Sequence, residues 1–123
     1  MIVIRIPGLP PTVNNAFVNG RNGRHLSQEA TVWKQGVMLA TICTRQKAIH
    51  GLVEVSLTFY SEKWRTKAGK PRKIDVANLE KLFVDAVFKQ LGMDDSNIWK
   101  LTLRKLDGPE ESVIRITPLD GAP

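Results

Sequence analysis

The sequence predicts an α+β fold: a single small domain in which two helices pack on a mixed β-sheet of about four main strands. Two observations support this prediction. Four short segments alternate apolar and polar residues with the period of a strand, and two longer segments space their apolar residues three and four positions apart. The 123 residues show no internal repeat, low-complexity segment or domain linker. We therefore expect residues 1–123 to form one domain.

The N-terminal residues are predicted to form a strand followed by a hairpin. Residues 2–6 alternate isoleucine with valine or arginine, and the prolines and glycine that follow end the strand. Two Asn-Gly pairs then favour tight turns, because both residue types tolerate positive φ. The pattern indicates an exposed hairpin over residues 16–26.

The first helix is predicted to begin after Ser27, which is a credible N-cap, and to extend to about Ala48. Its apolar residues form a wide face, which indicates a long and substantially buried helix. Trp33 and Cys43 lie on that face, and we expect both in the core.

The second half of the chain is predicted to contain three strands and one helix. In chain order, the segments are a strand over 53–60, a basic loop over 61–73, a helix over 76–90, an acidic loop, a strand over 99–104, a turn over 107–109 and a strand over 113–117.

The charge of the chain favours a polyanionic partner. Its formal net charge is +6 and its pI is near 9.8, a surplus that in intracellular proteins most often serves nucleic acid. Six of the 18 basic side chains fall within residues 63–73, which is either a phosphate-binding loop or only a solvated one. The single cysteine excludes an intrachain disulfide and a zinc cluster. With no long apolar run and no secretory signal, we expect a cytoplasmic protein that does not contact membranes.

Three carboxylates near the second helix suggest a metal site. Asp75 stands at the N-terminal end of that helix, while Asp94 and Asp95 lie in the loop that follows it. Neighbouring carboxylates are costly unless a cation compensates them, and carboxylate oxygens with retained waters suit Mg²⁺. Lys81 would then offset the charge of a bound phosphate. Two other interpretations stay open: Asp75 as a helix cap, and the Asp-Asp pair as a solvated turn.

Three patches of sequence resemble the RusA-type Holliday-junction resolvases. They run from Pro10 to Asn15, from Arg24 to Ser27, and from Lys73 through Lys81 and Asp85 to the Asp94-Asp95 pair. Their order and spacing match over nearly the whole chain, and the third patch is the most specific. The resemblance implies a small homodimeric, Mg²⁺-dependent endonuclease, often encoded by a prophage, that cuts four-way DNA junctions by paired, symmetric incisions.

Carried over by position, the resemblance implies catalytic roles for Asp75, Lys81 and Asp95. It implies Asp75, Asp94 and Asp95 as Mg²⁺ ligands, with Mn²⁺ as a substitute ion. Branched DNA and a second copy of the chain are the implied partners, with no small-molecule cofactor. The implied role is DNA recombination and repair by a nucleoid-associated protein of bacterial or phage origin. The residues expected to contact DNA are Lys70, Arg72, Lys73, Arg24, Asn14, Asn15 and Asn78.

One position departs from the family pattern. The usual Asp-x-Asp-Asn reads Asp-Val-Ala-Asn over residues 75–78, so that Ala77 stands where a second metal-binding aspartate is expected. A methyl group cannot bind a metal ion. Three interpretations stay open: Ala77 is an introduced substitution, it is a natural variant in which Asp94 or Asp85 supplies the ligand, or the chain binds junctions without cutting them.

Two alternatives to a junction endonuclease follow from the same residues. A non-catalytic module would bind branched DNA through its cations and never cleave it. A small RNA-binding domain fits less well, because the strands lack the aromatic residues of the common RNA-recognition sheet. Within the basic loop, Trp64 either stacks on an exposed base or packs over the sheet. Asn14 and Asn15 either approach the DNA or stabilise a turn.

Overall fold

The computed structural model describes the backbone of residues 1–11, 17–20, 23–71 and 77–119, together with their side chains apart from those of residues 17–20, 24, 77 and 78. Within these residues the elements, in chain order, are β1 Ile2–Pro7, β2 Phe17–Gly20, β3 Gly23–Leu26, α1 Gln28–Cys43, β4 Val53–Tyr60, α2 Ala77–Leu91, β5 Ile98–Leu106 and β6 Glu111–Pro118. A 3₁₀ turn, Asp95–Asn97, precedes β5. Neither of these two helices is long and apolar enough to cross a membrane.

The main sheet is mixed, with the strand order β1-β6-β4-β5. β6 pairs antiparallel with both β1 and β4, whereas β5 pairs parallel with β4. Adjacent parallel strands need a crossover connection, and α2 supplies it by carrying the chain from the end of β4 back to the start of β5. β2 and β3 form the predicted hairpin. The α+β class, with two helices and a mixed four-stranded sheet, is confirmed.

The hydrophobic core lies between the helices and one face of the sheet. Alternate residues of the central strands, such as Leu57 and Ile114, are fully buried there. They form one cluster with Val37 of α1 and Phe83 of α2. Trp33 packs against this cluster as predicted, with its ring edge-on to Phe83 at a centroid distance of 6.0 Å. Both helices are thereby fixed against the same face of the sheet.

The helix α1 is shorter and less buried than predicted. Ser27 caps it as expected, because its hydroxyl accepts a hydrogen bond from the Ala30 amide at 3.1 Å. The helix ends at Cys43 rather than near Ala48, and because Cys43 is exposed its assignment to the core is wrong. Leu39 is also 63% exposed. The apolar residues of α1 surround much of the helix, but a helix contacts a sheet along one side only.

The strand β5 forms where the alternation predicts it, but it lies at an edge of the sheet. Leu103 packs on the core, whereas Trp99 and Leu101 remain exposed. The pairing register with β4 shifts between Val53 and Glu54, which interrupts the alternation where β5 begins. The strand therefore presents apolar side chains to the surface beside the loop that carries the predicted aspartates.

Candidate active site

The helix α2 and the start of β5 border a surface groove. The residues that line this α2–β5 groove are Glu80, Lys81, Val84, Asp85, Asp95, Ile98 and Leu101. Residues of α2 three and four positions apart share one side of the helix, which places Lys81 and Asp85 along the same wall. Asp95 reaches the groove because the 3₁₀ turn brings the chain back beside α2. The groove thus brings together Lys81 and Asp95, two of the three residues predicted to be catalytic.

The side chain of Glu80 also lines the groove, although its residue type and position on an amphipathic helix did not predict it as a site residue. Partial burial raises the pKa of its carboxyl group above the ordinary value, and the nearby charge of Asp85 raises it further. Lys81 opposes this shift and Asp95 adds to it. The carboxylates of α2 and of the 3₁₀ turn are therefore within electrostatic reach of one another. The available signal was the position of Glu80, three residues after Ala77 and beside Lys81.

The side chain of Lys81 is oriented by its neighbour on the helix. Its Nζ lies 4.0 Å from Oδ2 of Asp85, four residues further along α2. Both side chains are exposed, so this ion pair contributes little to stability. Its consequence is positional, because it keeps the ammonium group along the wall of the α2–β5 groove.

The two adjacent aspartates of the acidic loop have different surroundings. Asp94 caps the 3₁₀ turn, with its Oδ1 accepting a hydrogen bond from the Ser96 amide at 2.9 Å. That hydrogen bond holds the pKa of Asp94 below its usual value, because it stabilises the ionised carboxylate. Asp95, in contrast, lines the α2–β5 groove with the residues of α2. Both aspartates also line a second pocket with Asp85. The structure therefore distinguishes them by the hydrogen bond of Asp94 to Ser96 and by the position of Asp95 in the α2–β5 groove.

Several predicted site residues lie outside the described residues: Asn14, Asn15, Arg72, Lys73 and Asp75. For Arg24, Ala77 and Asn78 the structure describes the backbone alone. In the part of the chain whose side chains are described, no group of three or more carboxylate, histidine or cysteine side chains is arranged to hold a metal ion. The metal site formed by Asp75 with Asp94 and Asp95 stays a prediction.

The described part of the basic loop is closed by a hydrogen-bonded turn. The Thr66 amide donates to the Lys70 carbonyl oxygen at 2.7 Å, and the Lys70 amide donates to the Thr66 hydroxyl at 3.2 Å. Arg65 forms an ion pair with Asp107, with 3.5 Å between Nε and Oδ2. The Lys70 side chain is exposed at the base of this turn, where it is accessible to a phosphate.

Trp64 packs over the sheet and does not offer its ring for stacking on a base. Its side chain is only 5% exposed, and the indole N–H donates to the carbonyl oxygens of Leu106 at 2.9 Å and Phe59 at 3.3 Å. The ammonium group of Lys105 lies 5.3 Å from the centre of the ring. Of the two interpretations of Trp64, the structure supports the packing role.

Trp64→Phe is expected to lower the free energy of unfolding by about 1–3 kcal/mol, because it removes the donor that the buried hydrogen bond to Phe59 and the partly buried one to Leu106 share. Urea denaturation followed by circular dichroism measures this loss. Trp99→Phe is the matched control, since Trp99 is exposed and its replacement should change stability by no more than about 0.5 kcal/mol. Equal stability of the two variants would contradict the packing role.

Comparison with known families gives one match. A family model described as endodeoxyribonuclease RusA matches residues 7–117 of the 123-residue chain. The match includes both helices and every residue that lines the α2–β5 groove. No curated protein matches the chain.

Proposed function

Because the chain belongs to the RusA endodeoxyribonuclease family, we propose that it is a Mg²⁺-dependent, structure-specific nuclease that resolves four-way DNA junctions. The family establishes the class of reaction, which is hydrolysis of phosphodiester bonds within DNA. The observation that carries the finer proposal is the α2–β5 groove, in which the Lys81 ammonium group and the Asp95 carboxylate line one surface. A cation beside an acidic metal site can stabilise the negative charge that develops when a phosphodiester is cleaved.

The donor chemistry of the groove fits a divalent cation. Its carboxylates are hard oxygen ligands of the kind that Mg²⁺ prefers, and the raised pKa of Glu80 reflects, besides its burial, negative charge that no described cation fully compensates. We assign Asp75 and Asp95 as the principal ligands, with Glu80 near the position that Ala77 leaves without a carboxylate. Asp94 is the weaker candidate, because it is already hydrogen-bonded to Ser96. A bound ion would supply an activated water and stabilise charge on the phosphate.

Lys81 has a separate task in this proposal. Its ammonium group would offset the negative charge that builds up on the scissile phosphate, an electrostatic contribution that needs no movement of the site. Asp85 holds the side chain along the groove through the ion pair at 4.0 Å. The exposed Lys70, with Arg72 and Lys73, would contact flanking phosphates and give affinity without sequence preference. We expect Arg24, Asn14, Asn15 and Asn78 to contact the DNA near the same site.

Paired cleavage of a junction requires two active sites. We therefore propose a homodimer in which each copy cuts one of two symmetric strands of the branched DNA. Because the proposed substrate is DNA, we expect this activity in the bacterial cytoplasm, at the nucleoid, whether the protein is encoded by the bacterium or by a phage. The physiological role would be the resolution of junctions in DNA recombination and repair.

A second candidate function is a binding protein for branched DNA that does not cleave it. Ala77 favours this candidate, because it removes a carboxylate from the expected metal site. Both candidates predict tight, salt-sensitive binding of a four-way junction, and they differ in cleavage alone.

The decisive experiment compares the wild-type chain with Ala77→Asp and Ala77→Asn on a synthetic four-way junction in Mg²⁺ or Mn²⁺. We expect paired symmetric nicks and a rate at least about tenfold higher in Ala77→Asp, since the new carboxylate would lie one helical turn from Glu80 and Lys81. Ala77→Asn has the same shape without the charge and should not show this gain. Junction affinity, measured without a divalent ion, should change little.

Two outcomes would contradict the proposal in different ways. If all three proteins bind the junction and none cleaves it in either ion, the protein is a binding protein and the catalytic proposal is wrong. If the wild-type chain binds neither a junction nor linear duplex DNA, the DNA-directed function itself is wrong for this chain.

A further inference from the structure

Trp99 is the most exposed tryptophan of the molecule. Its side chain is 66% exposed, whereas Trp64 is 5% exposed and Trp33 is partly buried against the core. Tryptophan is highly buried on average because its large apolar surface is costly to leave in water. The exposed indole of Trp99 is therefore accessible to a contact with another molecule.

The backbone around Trp99 is fixed although its ring is exposed. Ile98 lies opposite Val53 and Lys100 lies opposite Glu54, so Trp99 is the additional residue of a β-bulge. Ile98 packs on the core. A bulge of this kind redirects a side chain, and it fixes the base of the indole while leaving its ring accessible.

Trp99 lies between two residues of β5 that line the α2–β5 groove. Ile98 and Leu101, on either side of Trp99 in the chain, both line the groove together with Lys81 and Asp95. Trp99 follows Asp95 by four residues, so their Cα atoms are at most about 14 Å apart. A phosphate bound near Asp95 and a base a few nucleotides away are separated by a comparable distance, since single-strand phosphates in duplex DNA are about 3.4 Å apart along the axis.

The charge of β5 favours DNA over a second copy of the chain as the molecule that contacts this surface. The strand carries Lys100, Arg104 and Lys105 and no acidic residue. Lys100, the cation next to Trp99, forms an ion pair with Glu54, with 3.2 Å between Nζ and Oε2. Its side chain is exposed, so this ion pair is weak and the ammonium group can contact a phosphate instead. Lysine on an edge strand disfavours pairing with another copy of the same strand. The same charges attract the phosphates that flank an exposed base.

We propose that Trp99 is a stacking residue for an unpaired base at the branch point of the DNA. The base would lie on the indole ring while Lys100, the next residue of β5, contacts an adjacent phosphate. This inference rests on the proposed function, because it takes branched DNA as the ligand. Stacking on an aromatic side chain is insensitive to base identity, so the contact would select an open branch point over a continuous duplex rather than a particular sequence.

The test measures binding of a labelled four-way junction, and of linear duplex with the same sequences, by Trp99→Leu and Trp99→Phe without a divalent ion. We expect Trp99→Leu to bind the junction about 5- to 100-fold more weakly, whereas Trp99→Phe retains most of the affinity. Linear duplex binding should change by less than about twofold, because a duplex offers no unstacked base. Leu106 is an exposed apolar residue at the other end of β5. Leu106→Ala therefore controls for the loss of exposed apolar side-chain area that does not stack on a base.

Two spectroscopic readouts identify the contact directly. The junction should quench the exposed indole emission of the wild-type chain, and this quenching should be absent in Trp99→Leu. A 2-aminopurine base at the branch point should be quenched by the wild-type chain and by Trp99→Phe but not by Trp99→Leu. Thermal unfolding of the variants, followed by circular dichroism, should match that of the wild-type chain, because the side chain is exposed.

The outcomes separate failure of this inference from failure of the proposed function. One outcome is that Trp99→Leu binds junctions as well as the wild-type chain does, and that the junction leaves the indole emission of the wild-type chain unchanged. In that case Trp99 does not stack on a base and the junction-binding function stands. If Trp99→Leu alters the sedimentation of the free protein but not its junction affinity, a second copy covers this surface and the stacking role is wrong. If the wild-type chain does not bind junctions, both proposals are wrong.

Discussion

Asp95→Asn is expected to lower the rate of junction cleavage by at least about 100-fold. The substitution is made in the faster of two parent proteins, the wild-type chain or Ala77→Asp. Asparagine keeps the shape of the side chain but loses the charge that would bind the ion. The structural basis is the position of Asp95 in the α2–β5 groove, beside Lys81 and within electrostatic reach of Glu80. Single-turnover cleavage of an end-labelled junction in saturating Mg²⁺ measures the effect, and junction affinity should stay within about twofold of the parent, because the substitution affects the reaction rather than the DNA contacts.

Asp94→Asn is the matched control for this variant. The two aspartates are neighbours in sequence and carry the same charge, but Asp94 caps the 3₁₀ turn through Ser96. Asparagine is an equally good cap, so the turn should persist and cleavage should fall by less than about tenfold, the lower end of the losses seen when a supporting residue of a metal site is removed. A reversed order of the two effects would show that Asp94 is the metal ligand and that the groove does not define the active site.

Phe83→Ala is expected to lower the free energy of unfolding by about 3–5 kcal/mol. The ring is fully buried and packs against two other aromatic rings, at centroid distances of 6.0 Å from Trp33 and 6.3 Å from Phe59. Those two rings belong to α1 and β4, so Phe83 joins both helices to the sheet. Since small domains have a free energy of unfolding of roughly 5–15 kcal/mol, this substitution would leave the chain marginally stable.

Urea denaturation followed by far-ultraviolet circular dichroism measures this change. Lys89→Ala, an exposed position in the last turn of the same helix, should cost no more than about 1 kcal/mol, which is the upper range for a lysine near a helix C-terminus. If Phe83→Ala is no more destabilising than Lys89→Ala, then α2 does not pack on the sheet through this ring and the described core is wrong.

The behaviour of the two helices shows how far periodicity predicts a fold. In α2 the apolar residues form one narrow stripe, and the members of that stripe from Leu79 to Phe88 are largely buried in the core. In α1 apolar residues occupy several sides, and the pattern does not indicate that Leu39 would be exposed while Val37 is buried. A pattern without a clear polar side predicts a helix but leaves its orientation undetermined.

The candidate site, like the helices, was predicted from the sequence only in part. Lys81 and Asp95 were predicted from the acidic loop and the family resemblance, and the α2–β5 groove brings them together. Glu80 was not predicted, because a glutamate on an amphipathic helix is usually a solvated surface residue. The sequence also did not predict the difference between Asp94 and Asp95, since two adjacent aspartates are equivalent in sequence. They differ in the folded chain because the side chain of Asp94 accepts a hydrogen bond from the Ser96 amide.

The sequence by itself determined the α+β class, the order of the elements, the cationic character and the family, because each depends on local periodicity, on composition or on the spacing of a motif. The tertiary structure decided which apolar residues are buried and which carboxylates share a surface. It buried Trp64 of the basic loop and exposed Trp99 of a predicted strand. That choice depends on the pairing of β5 with β4 and on the path of α2 across the sheet, which bring together residues distant in sequence.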